Sequence, residues 1–188
     1  MDLKQVLAEI AFGLCFIALV PVFILYFVGI VGFTSVSQFL SLKPTRWGIM
    51  LRRAWYKTTL KRCGNDLVVD FLGAIRTPKT TIGNNCYIGV GSWIGWADIG
   101  DNVLISGHVT LLSGGHQHGT SKSSAIRLQA GDVTQIRVGN DVWVGDGSII
   151  QADVKEGCVV GSGSVVTKTF DKNSIIAGVP AELIRKRA

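Results

Sequence analysis

The chain has 188 residues, 47% of them hydrophobic and only 17% charged, which excludes a disordered, purely solvating polypeptide. Its net charge of +6 is unevenly placed: residues 1–62 hold eight Lys/Arg against two Asp/Glu, and residues 63–188 hold eleven of each. No basic stripe runs through the larger part, so a nucleic-acid binder is disfavoured. Cys15, Cys63, Cys86 and Cys158 form no CxxC pair, which suits a reducing compartment better than a disulfide or zinc-ribbon framework.

From Ile10 to Leu42, 33 residues pass without a formal charge, more than the roughly 20 apolar residues that cross a bilayer. A cleaved secretory signal has a shorter core, a basic start and a small-residue exit. Here Lys4 is balanced by Asp2 and Glu9, and no Ala-x-Ala follows. Residues 1–42 are therefore expected to be a retained helical membrane segment. Pro21 divides it and Gly29 and Gly32 follow, so a single kinked crossing and a re-entrant hairpin both fit.

Residues 43–65 begin KPTRWGIMLRRAWYKTTLKR, with seven basic residues and no acidic one. On a helix Trp47, Leu51 and Trp55 recur every four positions, and Met50, Ala54 and Thr58 widen that stripe. This is the composition of an interfacial helix on an anionic leaflet; a solvated basic linker is the plainer alternative. By the positive-inside rule, the rest of the chain faces the cytoplasm from the cytoplasmic membrane.

From residue 82 the chain reads in sixes: IGNNCY, IGVGSW, a shortened IGWAD, IGDNVL, ISGHVT, LLSGGH. After an interruption it resumes as VGNDVW, VGDGSI, IQAD, VKEGCV, VGSGSV, VTKTFD. Position 1 is Ile, Leu or Val, position 2 is mostly Gly, and position 5 is mostly Cys, Ser or Val. A period of six predicts a solenoid of short parallel strands with three flat faces. Position 1 points into a narrow core, position 5 shares it, and Gly at position 2 suits the crowded corners. Cys86 and Cys158 both occupy position 5 and so take structural roles. Twelve units make about four turns, over residues 66–170; residues 171–188 are expected to form a turn and a basic helix.

The stretches VGNDVWVGDGSII, VVGSGSVVTK and AGVPAELIRKR resemble the hexapeptide-repeat acyltransferases, sugar O-acetyltransferase branch, over roughly residues 75–187. The resemblance implies a left-handed parallel β-helix, acetyl-CoA as co-substrate, no metal, and a homotrimer with sites at subunit boundaries. The N-terminal membrane segment departs from the soluble members and points to a glycolipid, lipid-linked glycan or exopolysaccharide precursor as acceptor. N-acetylation of an amino sugar, a longer acyl donor and a non-catalytic membrane scaffold are the competing readings.

The interruption, residues 113–136, is polar and glycine-rich and holds two of the three histidines. Acyl transfer to a hydroxyl needs a base, and histidine titrates in the useful range. The resemblance implies His116 as that base, with His118 second, orienting it or touching the acceptor; His108 sits at an outward position of its hexad. Spacings of eight and two do not fit the three-histidine zinc cage of a gamma-class carbonic anhydrase. For the donor, the resemblance implies a coenzyme A groove built from Trp143, Gly145 and Ser148 and from Gly161, Ser162, Gly163 and Ser164. Gly178 and Pro180 set the turn into the tail, and Lys168, Arg185 and Lys186 (with Arg187) are candidates for its phosphates. Corner geometry alone also accounts for the glycines, and a solvated chain end for the tail.

Overall fold

A computed structural model describes residues 3–115 and 118–187. Three helices precede a β-solenoid: α1 (Leu3–Phe27), α2 (Phe33–Ser41) and α3 (Thr45–Thr59). The first coil is β1 (Arg62–Cys63), β2 (Val68–Val69) and β3 (Ala74–Ile75), and the second is β4 (Thr81–Ile82), β5 (Tyr87–Ile88) and β6 (Trp93–Ile94). The third is β7 (Ala97–Ile99), β8 (Leu104–Ile105) and β9 (Thr110–Leu111). After residues 112–135 come β10 (Ile136–Val138), β11 (Trp143–Val144) and β12 (Ile149–Ile150). The fifth coil starts at a bridge from Val154 to Val138 and continues as β13 (Val159–Val160) and β14 (Val165–Val166); β15 (Ser174–Gly178) begins a sixth, and β16 (Ala181–Lys186) turns back on it.

Strands stack coil on coil, all in parallel except β16, giving three sheets: face A is β1-β4-β7-β10, face B is β2-β5-β8-β11-β13-β15-β16, and face C is β3-β6-β9-β12-β14. The solenoid thus has about six turns, not four. The first coil escapes the hexad pattern because Cys63 stands where a branched residue is expected, and Asp70 and Arg76 stand where glycine is. The expected C-terminal helix is also corrected. Residues 181–186 are a strand, antiparallel to β15 in the register Ile176 to Leu183 and Gly178 to Ala181. AGVPA makes a hairpin turn that folds the tail onto the last free edge of face B, which covers it.

Position-1 side chains form the core: Ile82, Ile94, Ile105, Leu111, Val144, Ile150 and Val166 are all 0% exposed. Position 5 completes it. Ser92 Oγ donates to the Ser106 carbonyl (2.9 Å) and Ser148 Oγ to that of Gly161 (3.0 Å), while Cys86 and Cys158 are buried. Burial also raises the Cys86 thiol above its ordinary range. Position 2 is glycine because successive coils nearly touch there: a Cβ on Gly83 would lie 2.5 Å from the Gly100 carbonyl oxygen. The bend itself falls at position 4, where Asn85, Asn102 and Asp141 take positive φ near 55°, a conformation short polar side chains tolerate.

The helices close the opposite end. One turn of α3 touches the first strand of every face: Arg52 Nε donates to the Val69 carbonyl (2.8 Å), the Ile75 amide to Tyr56 Oη (3.1 Å), and Lys57 Nζ to the Cys63 carbonyl (3.1 Å). The interfacial reading of this helix is corrected accordingly. Trp55 and Arg52 are wholly buried inside the protein, and only Trp47 of the stripe's two tryptophans is exposed. Helical periodicity located the stripe, but a protein interior and a lipid interface select the same residues. Helix α1 packs on the outer side of α3, Phe23 stacking on Trp55 with ring centroids 5.7 Å apart. Its stretch Glu9–Phe27 has a mean hydropathy of 2.6 and is mostly exposed.

Candidate active site

The three outer faces differ in chemistry. Face A presents Arg62, Thr81, Asp98 and Arg137 in register, a solvated charged column. Face B presents Val68, Tyr87, Leu104, Trp143, Val159 and Ile175. Face C presents Trp93, Thr110, Ile149 and Val165 above Ala74. Two faces are therefore apolar outward as well as inward.

Trp143 stands out on face B, 48% exposed, its indole N–H donating to Ser106 Oγ (3.1 Å). It lines a cleft of about 320 Å³ with Asn102, Leu104, Asp141, Val159 and Arg187. Arg187 Nη1 reaches Asp141 Oδ2 at 2.7 Å, so the tail residue bordering this cleft is Arg187. Lys186 Nζ instead donates to the Lys172 carbonyl (3.0 Å) and Ser174 Oγ (3.1 Å), and Arg185 Nη1 to the Lys186 carbonyl. Lys168 pairs with Glu182 at 3.0 Å in the open.

The small residues separate into two groups. Ser148 and Ser164 are 0% exposed and both donate to the Gly161 carbonyl, at 3.0 and 2.6 Å; neither presents an atom to a ligand, which corrects their expected donor contacts. Gly145 is buried too, a Cβ there falling 2.6 Å from the Ser162 amide nitrogen. Ser162, Gly163, Gly178 and Pro180 are exposed along the B–C corner and the hairpin turn, with Gly161 partly buried behind them. Gly163 has φ 69° and nothing within 4 Å of a built Cβ, and its amide donates to the Asp146 carbonyl (2.7 Å). Gly178 donates to Ser164 Oγ (3.2 Å).

The interruption leaves face C after β9 and returns to face A at β10, so it projects from the C–A corner, opposite face B. Its arm is self-bonded: Gln129 accepts from the Ser121 amide (2.8 Å) and donates to the Ser121 and Ser124 carbonyls (both 2.7 Å). Ile126, Leu128 and Val133 on the arm are 57–66% exposed. His116 lies outside the described residues. His118 is exposed on the arm. His108 is exposed at the B–C corner with φ 55° over Gly91, far round the coil from the arm's root.

Beside that root is a cleft of about 410 Å³ lined by Arg76, Thr77, Lys79, Trp96, Ser113 and Val133. Lys79 lies over the Trp96 ring at 5.7 Å, and Arg76 over Trp93 at 5.7 Å. Sequence reasoning missed this group; the available signal was Trp96 in the shortened unit IGWAD, next to the interruption. Among the described residues no three His, Cys, Asp or Glu side chains converge as metal ligands would.

The hexapeptide repeat of succinyl-transferase matches residues 79–112 and 135–168, the coils on either side of the arm. The chain is 40% identical over 92 residues to galactoside O-acetyltransferase of Escherichia coli K12, covering 47% of this chain and 43% of that protein. It is 30% identical over 112 residues to WbbJ of the same strain, named as a lipopolysaccharide biosynthesis O-acetyl transferase, covering 54% of this chain and 56% of that one. The chain thus spans about half the length of these curated relatives. Among solved structures, a maltose O-acetyltransferase from Clostridium difficile 630 superposes with a TM-score of 0.68 at 20% identity, over 83% of this chain and 85% of that one. A galactoside acetyltransferase in complex with coenzyme A superposes with a TM-score of 0.64 at 26% identity, over 81% and 78%.

Proposed function

We propose that this chain, which belongs to the hexapeptide-repeat acyltransferase family, moves an acetyl group from acetyl-CoA to a sugar hydroxyl of a membrane-associated glycan. The observation that carries the reading is the arm opposite the Trp143 face. One copy holds the two halves of the site on different sides of its prism, so a neighbouring copy must complete it. A closed ring needs two different contact faces on each protomer. Faces B and C supply the apolar pair, and face A supplies the solvated exterior. With face C of one protomer against face B of the next, the arm overhangs the neighbour, which would cover Ile126 and Leu128. A trimer satisfies this arrangement.

In the proposed reaction the pantetheine arm lies along the Trp143 cleft and Arg187 faces the phosphates, while Ser162, Gly163 and Gly178, exposed at the B–C corner and the hairpin turn, lie outside that cleft's lining. His116 takes the acceptor hydroxyl proton as the oxygen attacks the thioester carbonyl. Collapse of the tetrahedral intermediate forms the ester and breaks the C–S bond, and the imidazolium returns the proton to the departing thiolate. His118 orients His116 or the acceptor. The Arg76/Lys79/Trp96 cleft suits an acceptor sugar bearing an anionic group, with an aromatic wall for the ring and cations for the charge. The exposed α1 supports a membrane-bound acceptor, since confinement raises its effective concentration, and the basic segment supports a cytoplasmic orientation.

The test is His116→Ala in the full chain, with deacetylated glycolipid and polysaccharide as acceptors. Turnover should fall at least 10²-fold, as loss of a general base requires, while coenzyme A binding by calorimetry stays unchanged. Undiminished turnover sinks the assignment of His116. Absence of coenzyme A binding in the native protein sinks the transferase reading and favours a scaffold.

A further inference from the structure

We propose that α1 lies in the plane of an anionic bilayer leaflet and does not cross it, making the helical end of the solenoid a monotopic docking surface. This refines the membrane association proposed above and is independent of acetyl transfer. The buried side of α1 is a stripe at Phe12, Cys15, Leu19, Phe23 and Tyr26, with spacings of three and four that keep one face of a helix in contact. From Phe12 to Tyr26 it runs about 21 Å at 1.5 Å per residue, and both ends touch α3. Tyr26 meets Trp55 edge-on at 5.2 Å, and the Arg53 guanidinium sits 5.3 Å from the Phe12 ring centroid.

Arg53 also pairs with Asp66 of the first coil at 3.0 Å. That pair fixes the depth of Phe12, which lies only three residues from Glu9. If α1 crossed the bilayer, Glu9 would reach the far headgroups, and Arg53, Asp66 and the polar first coil would be carried into hydrocarbon. A charge placed there is strongly disfavoured. An in-plane helix keeps Phe12 and Tyr26 at one depth and leaves the first coil in water.

The outward side fits a leaflet. Ile10, Leu14, Ile17, Ile24, Phe27 and Ile30 are 55–69% exposed, an apolar surface larger than isolated exposed residues make. Its rim is cationic: Lys43 Nζ lies 4.4 Å from the exposed Phe39 ring and Arg46 follows, with no Asp or Glu between Glu9 and Asp66. Apolar centre and basic rim together match acyl chains beneath anionic headgroups. A second copy of the chain would bring basic rim against basic rim.

Two measurements on the full chain test this. In a Cys63→Ser background, Glu9→Cys and Lys155→Cys should both react with a membrane-impermeant maleimide from the same side of sealed membrane vesicles. Labelling of Glu9→Cys only after permeabilisation means a crossing helix and overturns the in-plane proposal, while leaving membrane association and catalysis standing. Separately, the double substitution Ile17→Glu and Ile24→Glu should reduce flotation with phosphatidylglycerol/phosphatidylethanolamine vesicles at least tenfold, with the circular dichroism of the solenoid unchanged. Undiminished flotation overturns the docking face. Absence of flotation by the native chain, with self-association lost on the double substitution, assigns the face to a second copy and overturns the bilayer.

Discussion

Arg52 and the Val69 carbonyl, joined at 2.8 Å with no solvent between them, tie the helical end of the protein to its solenoid. The same guanidinium donates through Nη1 to the carbonyls of Leu40 (2.9 Å) and Lys43 (2.8 Å). One cation thus satisfies the edge strand of face B and the Lys43 carbonyl just past α2, and adds a second donor to the Leu40 carbonyl, which also accepts from the Lys43 amide (3.1 Å), at a helix C-terminus where positive charge is favoured. Its Nη2 is buried without a hydrogen-bond partner among the described residues, and burial lowers its pKa from the ordinary arginine range.

Replacing Arg52 by Met keeps the bulk and strips the donor from the Val69 and Lys43 carbonyls, while the Leu40 carbonyl keeps the Lys43 amide. Each unsatisfied group costs about 1–3 kcal/mol, so Arg52→Met should destabilise the chain by roughly 2 kcal/mol or more, read from chemical unfolding in detergent. Arg52→Lys, a single point donor that cannot span three acceptors, should recover only part of that. An unchanged unfolding midpoint in Arg52→Met would remove Arg52 from this role.

Arg52 also marks the boundary of what residues reveal on their own. The hexads exposed the solenoid because Ile and Gly recur where coils stack, and they failed at the first coil, where Cys63 and Asp70 break the letters but keep the geometry. The α3 stripe was visible as periodicity, yet nothing local says whether Trp55 faces lipid or Phe23 and Phe33. That depends on α1 folding back, a contact between distant segments. At the candidate site, Trp143 stands exposed as its motif suggests, whereas Ser148 of the same motif and Ser164 of the GSGS motif turn inward. The Arg76/Trp96 cleft joins residues of different coils and has no sequence signature beyond its tryptophans.

Trp143 gives the second prediction. Half exposed, it contributes little to the core, so Trp143→Ala should shift the unfolding midpoint by less than about 1 kcal/mol. Coenzyme A binding, measured by calorimetry on the full chain, should weaken about tenfold, or ~1.4 kcal/mol. Equal affinity in the variant would move the donor away from face B.

Ser148 should behave in the opposite way. Its hydroxyl is spent inside the prism on the Gly161 carbonyl, which keeps a second donor in Ser164 Oγ. Ser148→Ala should cost about 1 kcal/mol and lower the melting temperature by roughly 2–4 °C, with KM for acetyl-CoA unaltered. A raised KM at unchanged stability would return Ser148 to the donor site.

Alkaline pH should loosen the junction beneath α3. Burial pushes the Cys63 thiol up to about 11, against opposing pulls from Lys57 and Arg53, whereas a free thiol ionises near 8.5, on the order of its model-peptide value. The folded state therefore holds a proton that the unfolded chain releases. This contribution is complete below pH ~8.5 and is lost as the pH rises towards about 11, because the unfolded state then binds fewer protons. Burial raises the Tyr56 phenol as well, and it acts in the same direction. The urea midpoint should accordingly fall between pH 9 and 11. Cys63→Ala should flatten that fall without abolishing it, since Tyr56 remains. Identical pH profiles for the native and Cys63→Ala chains would mean that the Cys63 thiol is as solvated in the folded protein as in the unfolded one, and that the lid formed by α3 is open there.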